Sequence, residues 1–353
     1  MTIWDSYPSA YRSAETAAVL AALRAGECAA VLGLSGSGKS NLLGFLANRV
    51  LGASPNPPGL LVDCNRLDEP SPAGFYRLAQ AVLGRPAGLE PTLGGLDAAV
   101  RDLLPGDDDR LCLLFARFDA LPELTAATIS GSLRSLRDQH KYTLTYVIAA
   151  RRPPDPRLEL AELFFANTLW LGPLSQADAR WSASQFARRR SLDWDPAVID
   201  ELVRLSGGYP AWLRAACEAH AAGTALEAAG MRQHPAVRQR LAEFWADNPT
   251  PEAIASSRLT GIPLLDSPGP APHLQELTAK EQLLLAYLQA HAGQVCEKDD
   301  LIRAVWPEDR VFSRGVRDDS LAQLVRRLRE KVEPDPSTPK RILTVAGRGY
   351  RFK

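Results

Sequence analysis

The stretch 29–46, AAVLGLSGSGKSNLLGFL, restricts the fold of this chain more than any other. A short apolar run meets Gly33-Leu34-Ser35-Gly36-Ser37-Gly38-Lys39-Ser40, which fits G-x-x-x-x-G-K-[ST] without mismatch, and a helical pattern follows. Such a loop works only between a buried strand and the start of a helix. Its glycines let successive N–H groups turn toward one anion, and the helix end adds partial positive charge. Lys39 supplies a point charge for the outer phosphates, and Ser40 offers a hydroxyl to Mg²⁺. Gly33, Ser35, Gly36, Ser37, Gly38, Lys39, Ser40 and Asn41 are therefore the expected nucleotide-binding residues, with Ser40 also the expected metal ligand.

The surroundings agree with a parallel sheet. Short, wholly apolar runs at 28–32, 60–62, 111–115, 144–149 and 168–171 each lead into a helical pattern, which describes strands buried on both faces with helical crossovers. Residues 1–174 thus read as an α/β P-loop NTPase domain with helices on both faces. Residues 175–258 read as a helical subdomain, in which PAVIDELVRL, PAWLRAACEAHA and PAVRQRLAEFW each start on a proline tolerated in a first turn. Residues 259–276 hold four prolines and two glycines and read as a linker, leaving 277–353 as a separate unit.

At 353 residues the chain has room for two or three domains, and its 41 basic and 41 acidic residues cancel, so any nucleic-acid site must be a local patch. Five scattered cysteines without a C-x-x-C pattern suit buried thiols in a reducing cytoplasm better than zinc or disulfides. No run reaches the length of a membrane span, and a cytoplasmic protein is expected.

Hydrolysis needs an acid at the end of a neighbouring strand. In RLCLLFARFDAL the positions where acids belong are Ala116 and Arg117, which can neither hold magnesium nor activate water. Asp119 is the first acid available and can substitute only if the chain bulges there. The expectation is binding of ATP or ADP with hydrolysis weak or absent.

The order of the remaining pieces resembles the STAND branch of AAA+-like P-loop ATPases, the NACHT and NB-ARC relatives. The resemblance covers roughly 11–245 and rests on the P-loop, on VIAARRPPDP after the fourth strand, and on Gly208-Tyr209-Pro210. It implies that Arg151 (or Arg152) senses the terminal phosphate, that Pro210 meets the adenine, and that Tyr11 and Arg12 close the pocket from the N-terminal side. The SGGYP segment also reads simply as a turn before a Pro-started helix.

In the last 77 residues, Thr278 can cap a helix with Leu283, Leu284, Tyr287 and Leu288 at helical spacing. A second helix spans 298–306 and a third about 319–333. The third has Leu321, Leu324, Val325, Leu328 and Val332 inward and Gln323, Arg326, Arg327 and Lys331 on the other face; Arg329 faces partly back. A hairpin follows, with strands at 342–345 and 350–352. Three helices and a hairpin tipped by Gly-Arg-Gly make a winged helix-turn-helix. LTAKE, Trp306, LVRRLREKVE and GRGYRF resemble the OmpR/PhoB family of response-regulator DNA-binding domains. That resemblance implies double-stranded DNA as partner, contacted by Gln323, Arg326 and Arg327 in the major groove and by Arg348 on the wing. It also implies RNA polymerase as a partner of the loop before the third helix. A receiver domain is not seen; the P-loop module takes its place.

The leading expectation is a nucleotide-switched transcription regulator whose assembly, as a homo-oligomer, and DNA binding follow the nucleotide. The alternative is an active DNA-associated ATPase of the AAA+ initiator or remodelling type; a scaffold whose wing binds protein is a third reading. Ala116-Arg117 weighs against the second and the basic helix face against the third.

Overall fold

The computed structural model describes residues 3–53, 56–84, 90–106, 108–265, 279–291, 293–305, 314–333, 339, 341–345 and 348–352. They fall into two compact units, Met1–Asp266 and Ser267–Lys353.

The first unit is built on a parallel sheet of β1 (Ala29–Leu32), β2 (Gly59–Asp63), β3 (Leu111–Ala116), β4 (Leu144–Ala150) and β5 (Thr168–Trp170), ordered β2-β3-β4-β1-β5. All six residues of β3 are buried, which requires cover on both faces. Leu111, Leu113 and Phe115 enter one core with α3 (Pro72–Val82), α4 (Leu93–Leu103) and α5 (Glu123–Gln139). Cys112, Leu114 and Ala116 enter the other, with α1 (Ser13–Arg24) and α2 (Lys39–Phe45). The five apolar runs of the sequence are these five strands, with ends shifted by one residue or so. Ser71 caps α3 through a 3.1 Å bond from the Gly74 N–H, ahead of Pro72.

Six helices follow: α6 (Gln176–Arg189), α7 (Pro196–Ser206), α8 (Pro210–Ala221), α9 (Ala228–Gln233), α10 (Pro235–Ala246) and α11 (Pro251–Ser256). Their starts at Pro196, Pro210 and Pro235 are those read from the sequence. Tyr209, Trp212 and Phe244 are fully buried at their centre, with the Tyr209 and Trp212 rings 4.3 Å apart. Leu259, Ile262 and Leu264 are buried in this same core. The first residues of the expected 259–276 linker are therefore part of the first unit, because its prolines punctuate a packed apolar strap; residues 266–276 lie outside the described set.

The second unit contains α12 (Ala279–Ala290), α13 (Lys298–Val305) and α14 (Arg314–Val332), with an antiparallel sheet ordered β6-β8-β7 from β6 (Val295–Glu297), β7 (Ile342–Val345) and β8 (Gly349–Phe352). The third helix begins at Arg314, earlier than the expected 319. Strand β6 was not foreseen; it is only three residues long, and its alternation is too brief to register. Leu284, Leu288, Leu301, Leu321, Leu324, Val325, Leu328 and Ile342 form one core. Thr278, Trp306 and the tip residues Ala346 and Gly347 are outside the described residues.

Phe115 is wholly buried between the rings of Phe75, Phe118 and Tyr146, at 5.5–6.0 Å. Phe115→Ala should cost the first unit about 3–5 kcal/mol, read as a lower guanidinium midpoint for its unfolding by circular dichroism.

Candidate phosphate cleft and nucleic-acid interface

The phosphate loop runs from the end of β1 into α2, and its shape is fixed by what approaches it. Gly36 has φ +81°, and a Cβ there would overlap the Ala211 methyl. The Ala211 N–H donates to the Gly36 carbonyl at 3.1 Å, and the Tyr209 hydroxyl donates to the Ser35 carbonyl at 2.6 Å. Gly38 has φ +88° and faces Pro210. The first turn of α8 is thus bonded directly to the loop, and Pro210 stands beside it.

Ser35, Gly36, Gly38, Lys39, Ser40 and Asn41 line a cleft of about 340 Å³, which is closed by Arg117, Asp119, Arg151, Pro210, Arg214 and Arg240. Lys39 bends back, donating to the Gly33 carbonyl and, at 3.2 Å, to the Leu34 carbonyl. Burial pulls its ammonium down to about 8; Asp119 and Asp247 oppose that shift, while Arg151 and Arg117 add to it. Gly33 and Ser37 are part of the loop without lining the cleft; Ser37 is fully buried.

Asp119 sits on the short turn after β3, with Arg117 before it in a left-handed conformation at φ 55°. One oxygen of Asp119 accepts from both the backbone N–H (2.9 Å) and the Nε (3.0 Å) of Arg151. Arg151 Nη1 continues to Asp247 at 2.9 Å, just past α10, and Arg152 Nη2 reaches the Asp247 carbonyl at 3.3 Å. Of the two strand-end arginines, Arg151 is the one in the cleft. Hydrogen bonding to Asp119 is the main reason that its guanidinium holds its proton more strongly than usual.

The structure does not bring Tyr11 and Arg12 to this cleft. Tyr11 is buried in an aromatic group with Tyr7, Phe45 and Trp181, and burial pushes its hydroxyl up to about 12. The Arg12 Nη2 donates to the Ser37 and Gly172 carbonyls, each at 2.9 Å, while its backbone N–H, at φ 45°, donates to Asp178. Arg12 therefore holds the loop from behind. Sequence reasoning named Tyr209 only as the middle of the Gly208-Tyr209-Pro210 motif and passed over Arg214, Arg240 and Asp247; their roles depend on how α8 and α10 fold back toward the loop.

The donors suit a polyanion and do not suit a magnesium ion. Mg²⁺ takes oxygen ligands, commonly with a carboxylate among them. The cleft offers the Ser40 hydroxyl and one carboxylate, Asp119, already held by Arg151. Asp63, level with Ala116 across the sheet, caps its own turn at Asn65. Among the described residues no group of three His, Cys, Asp or Glu could hold a metal, and none of the helices is long and apolar enough to cross a membrane.

In the second unit, Gln323, Arg326 and Arg327 are exposed on α14, opposite its buried leucine face. Arg329 turns back: its Nε and Nη2 donate to the Ile342 carbonyl (3.0 and 2.7 Å) and Nη2 to Thr344 Oγ1 (2.8 Å). The buried Glu333 carboxylate accepts the backbone N–H groups of Arg341 (2.8 Å) and Ile342 (2.6 Å). Helix and hairpin are thereby stapled together. Arg348 is exposed on the turn between β7 and β8, with Glu297 at 3.9 Å.

The first unit is thus an α/β P-loop domain with a helical subdomain, and the second a winged helix. Residues 273–352 match the family described as "Transcriptional regulatory protein, C terminal", so the C-terminal unit is a regulatory DNA-binding domain of that type. Among solved structures, the chain is similar to a Walker-type ATPase of Pyrococcus abyssi (16% identity, 97% of this chain and 92% of the other, TM-score 0.47). It is similar also to Cdc6p from Pyrobaculum aerophilum (14%, 98% and 92%, TM-score 0.45) and to domain III of the Thermotoga maritima replication initiation protein DnaA (15%, 68% and 95%, TM-score 0.40).

Arg329→Ala should lower the stability of the second unit by about 1.5–3 kcal/mol, since it removes charged hydrogen bonds. Gln323→Ala should leave it within about 0.5 kcal/mol. Thermal unfolding of the two variants distinguishes the staple from the exposed face.

Proposed function

We propose that this chain is a nucleotide-binding transcription regulator of STAND type. ATP or ADP is held by the phosphate loop. Double-stranded DNA is bound by Gln323, Arg326 and Arg327 on α14, with Arg348 on the wing. The nucleotide state controls self-assembly and, through it, DNA binding. The observation that carries this reading is the bonding of the loop to the start of α8, by Tyr209 to Ser35 and Ala211 to Gly36. A polyphosphate that binds one arrangement of the loop more tightly would, through these bonds, favour one position of the helical subdomain, which is what a switch requires.

Each residue has a defined part. Loop N–H groups and Lys39 hold the phosphates, and Pro210 beside Gly38 borders the base. Arg151 meets the terminal phosphate at the cost of its bond to Asp247, whose partly exposed geometry makes it a tie of roughly 0–1 kcal/mol. Arg117 in the acid's position supports binding without turnover. On DNA, arginine can pair bidentately with guanine and glutamine with adenine, and both also hold phosphates. RNA polymerase is the proposed partner of the segment before α14; residues 306–313 of it lie outside the described set.

Arg326→Ala with Arg327→Ala should weaken promoter binding and lower the slope of log K against log salt by about 2, measured by gel shift at several salt concentrations. Lys39→Ala should abolish nucleotide binding, and with it the nucleotide dependence of assembly followed by light scattering. Equal assembly and DNA affinity with and without nucleotide would remove the switch. The charge on Lys39 adds a pH signature. Its ammonium loses its proton at about 8, and a bound phosphate favours the charged form, so nucleotide affinity should be highest below pH 8 and fall as the pH rises to 9 and beyond. Calorimetric titrations across that window check the direction.

A further inference from the structure

We infer that the cleft binds a nucleoside triphosphate without a divalent metal, with Arg117 in the place where a metal-bearing acid would stand. The inference rests on the nucleotide reading above and specifies the form in which the ligand is taken: free ATP rather than its magnesium complex.

Three observations carry it. The first is position. Arg117 follows the last residue of β3, Ala116, which lies level with Asp63 and Ala149 on the two neighbouring strands. A carboxylate after β3 would face the Ser40 hydroxyl across the cleft and complete a magnesium site. A guanidinium there would repel the ion.

The second is availability. Arg117 is exposed, lines the cleft and has no hydrogen bond or ion pair among the described residues. The other arginines facing the cleft are engaged: Arg151 with Asp119 and Asp247, Arg214 with Glu218 at 3.2 Å, Arg240 with Glu243 at 2.6 Å. Arg117 lies close enough to Lys39 to oppose its charge. These are the conditions in which an anion bridging the two is favoured.

The third is charge balance. Magnesium on a nucleotide neutralises the β- and γ-oxygens. Here Arg151, Arg214 and Arg240 are paired with Asp119, Asp247, Glu218 and Glu243, and Lys39 and Arg117 are the lining cations with no ion pair among the described residues. The cations on the protein supply the neutralisation that the metal would otherwise bring, and arginine does so with directed hydrogen bonds to phosphate oxygens. The arrangement binds and retains a triphosphate while providing no group to hold a metal-bound water.

The test is calorimetric titration of the full chain with ATP in buffer containing magnesium and, separately, in buffer containing EDTA. Magnesium in excess ties up free ATP, so an affinity about fivefold or more tighter in EDTA than in magnesium supports the inference. Affinity in EDTA that equals or falls below that in magnesium overturns it and leaves the nucleotide reading intact. Absence of binding in both buffers overturns both. Arg117→Asp, an exposed substitution that leaves the core untouched, should reverse the preference. Its affinity in EDTA should fall by about tenfold or more and recover on adding magnesium. An Arg117→Asp chain that binds ATP in EDTA as the unsubstituted chain does overturns the role of Arg117.

Discussion

The architecture of the first unit depends on one close approach of main chain to main chain. The Gly36 carbonyl accepts the Ala211 N–H, and no side chain can stand at residue 36 because the Ala211 methyl fills that space. Tyr209 extends the contact with its hydroxyl on Ser35 and anchors it below by packing on Trp212 and Phe244. The anion loop is thereby tied to the buried aromatic centre of the helical subdomain. Arg12 bears on the loop from the opposite side through Ser37 and Gly172. The loop is held at two points, and only its cleft side is open.

Charge in the cleft follows a related logic. The acids are drawn into a chain in which Asp119 holds Arg151 and Arg151 holds Asp247, joining the turn after β3 to the end of α10. Each of these pairs is partly exposed and individually weak. A phosphate group competing for Arg151 therefore needs little free energy to release Asp247. The loop contact joins the cleft to α8 and the ion-pair chain joins it to α10, so two helices of the subdomain meet the cleft through unrelated interactions.

Much of this was legible in the sequence because its signals are local. The five strands announce themselves as short, largely apolar runs, and the phosphate loop is set by nearest neighbours in the chain. Pro196, Pro210 and Pro235 mark helix starts since a missing N–H costs nothing there. Gln323, Arg326 and Arg327 were separable from Leu324, Val325 and Leu328 by the helical period alone. What escaped notice needs the third dimension. Asp247 lies 96 residues from Arg151, and no spacing rule connects them. Arg12 resembled a pocket residue by its place in the order of motifs, yet its side chain is drawn inward by two carbonyls that only the folded loop creates. Leu259, Ile262 and Leu264 were masked by the prolines and glycines around them, which signalled irregular backbone correctly and burial not at all.

Neighbouring arginines on α14 show how little separates a structural role from a functional one. Arg326 and Arg327 project from the helix, while Arg329 is committed to the Ile342 carbonyl and Thr344. A turn of the helix by two residues carries the same side chain from solvent to the hairpin. The commitment of Arg329, with Glu333 holding the amides of Arg341 and Ile342, fixes the angle between helix and hairpin. A rigid angle matters because base edges are read by hydrogen bonds a few ångströms long, and a helix free to rock could hold phosphates but not a sequence. Affinity for the DNA backbone would survive the loss of the staple far better than discrimination among base pairs. Arg329 and Glu333 thus serve the geometry of the helix and hairpin and not its exposed face.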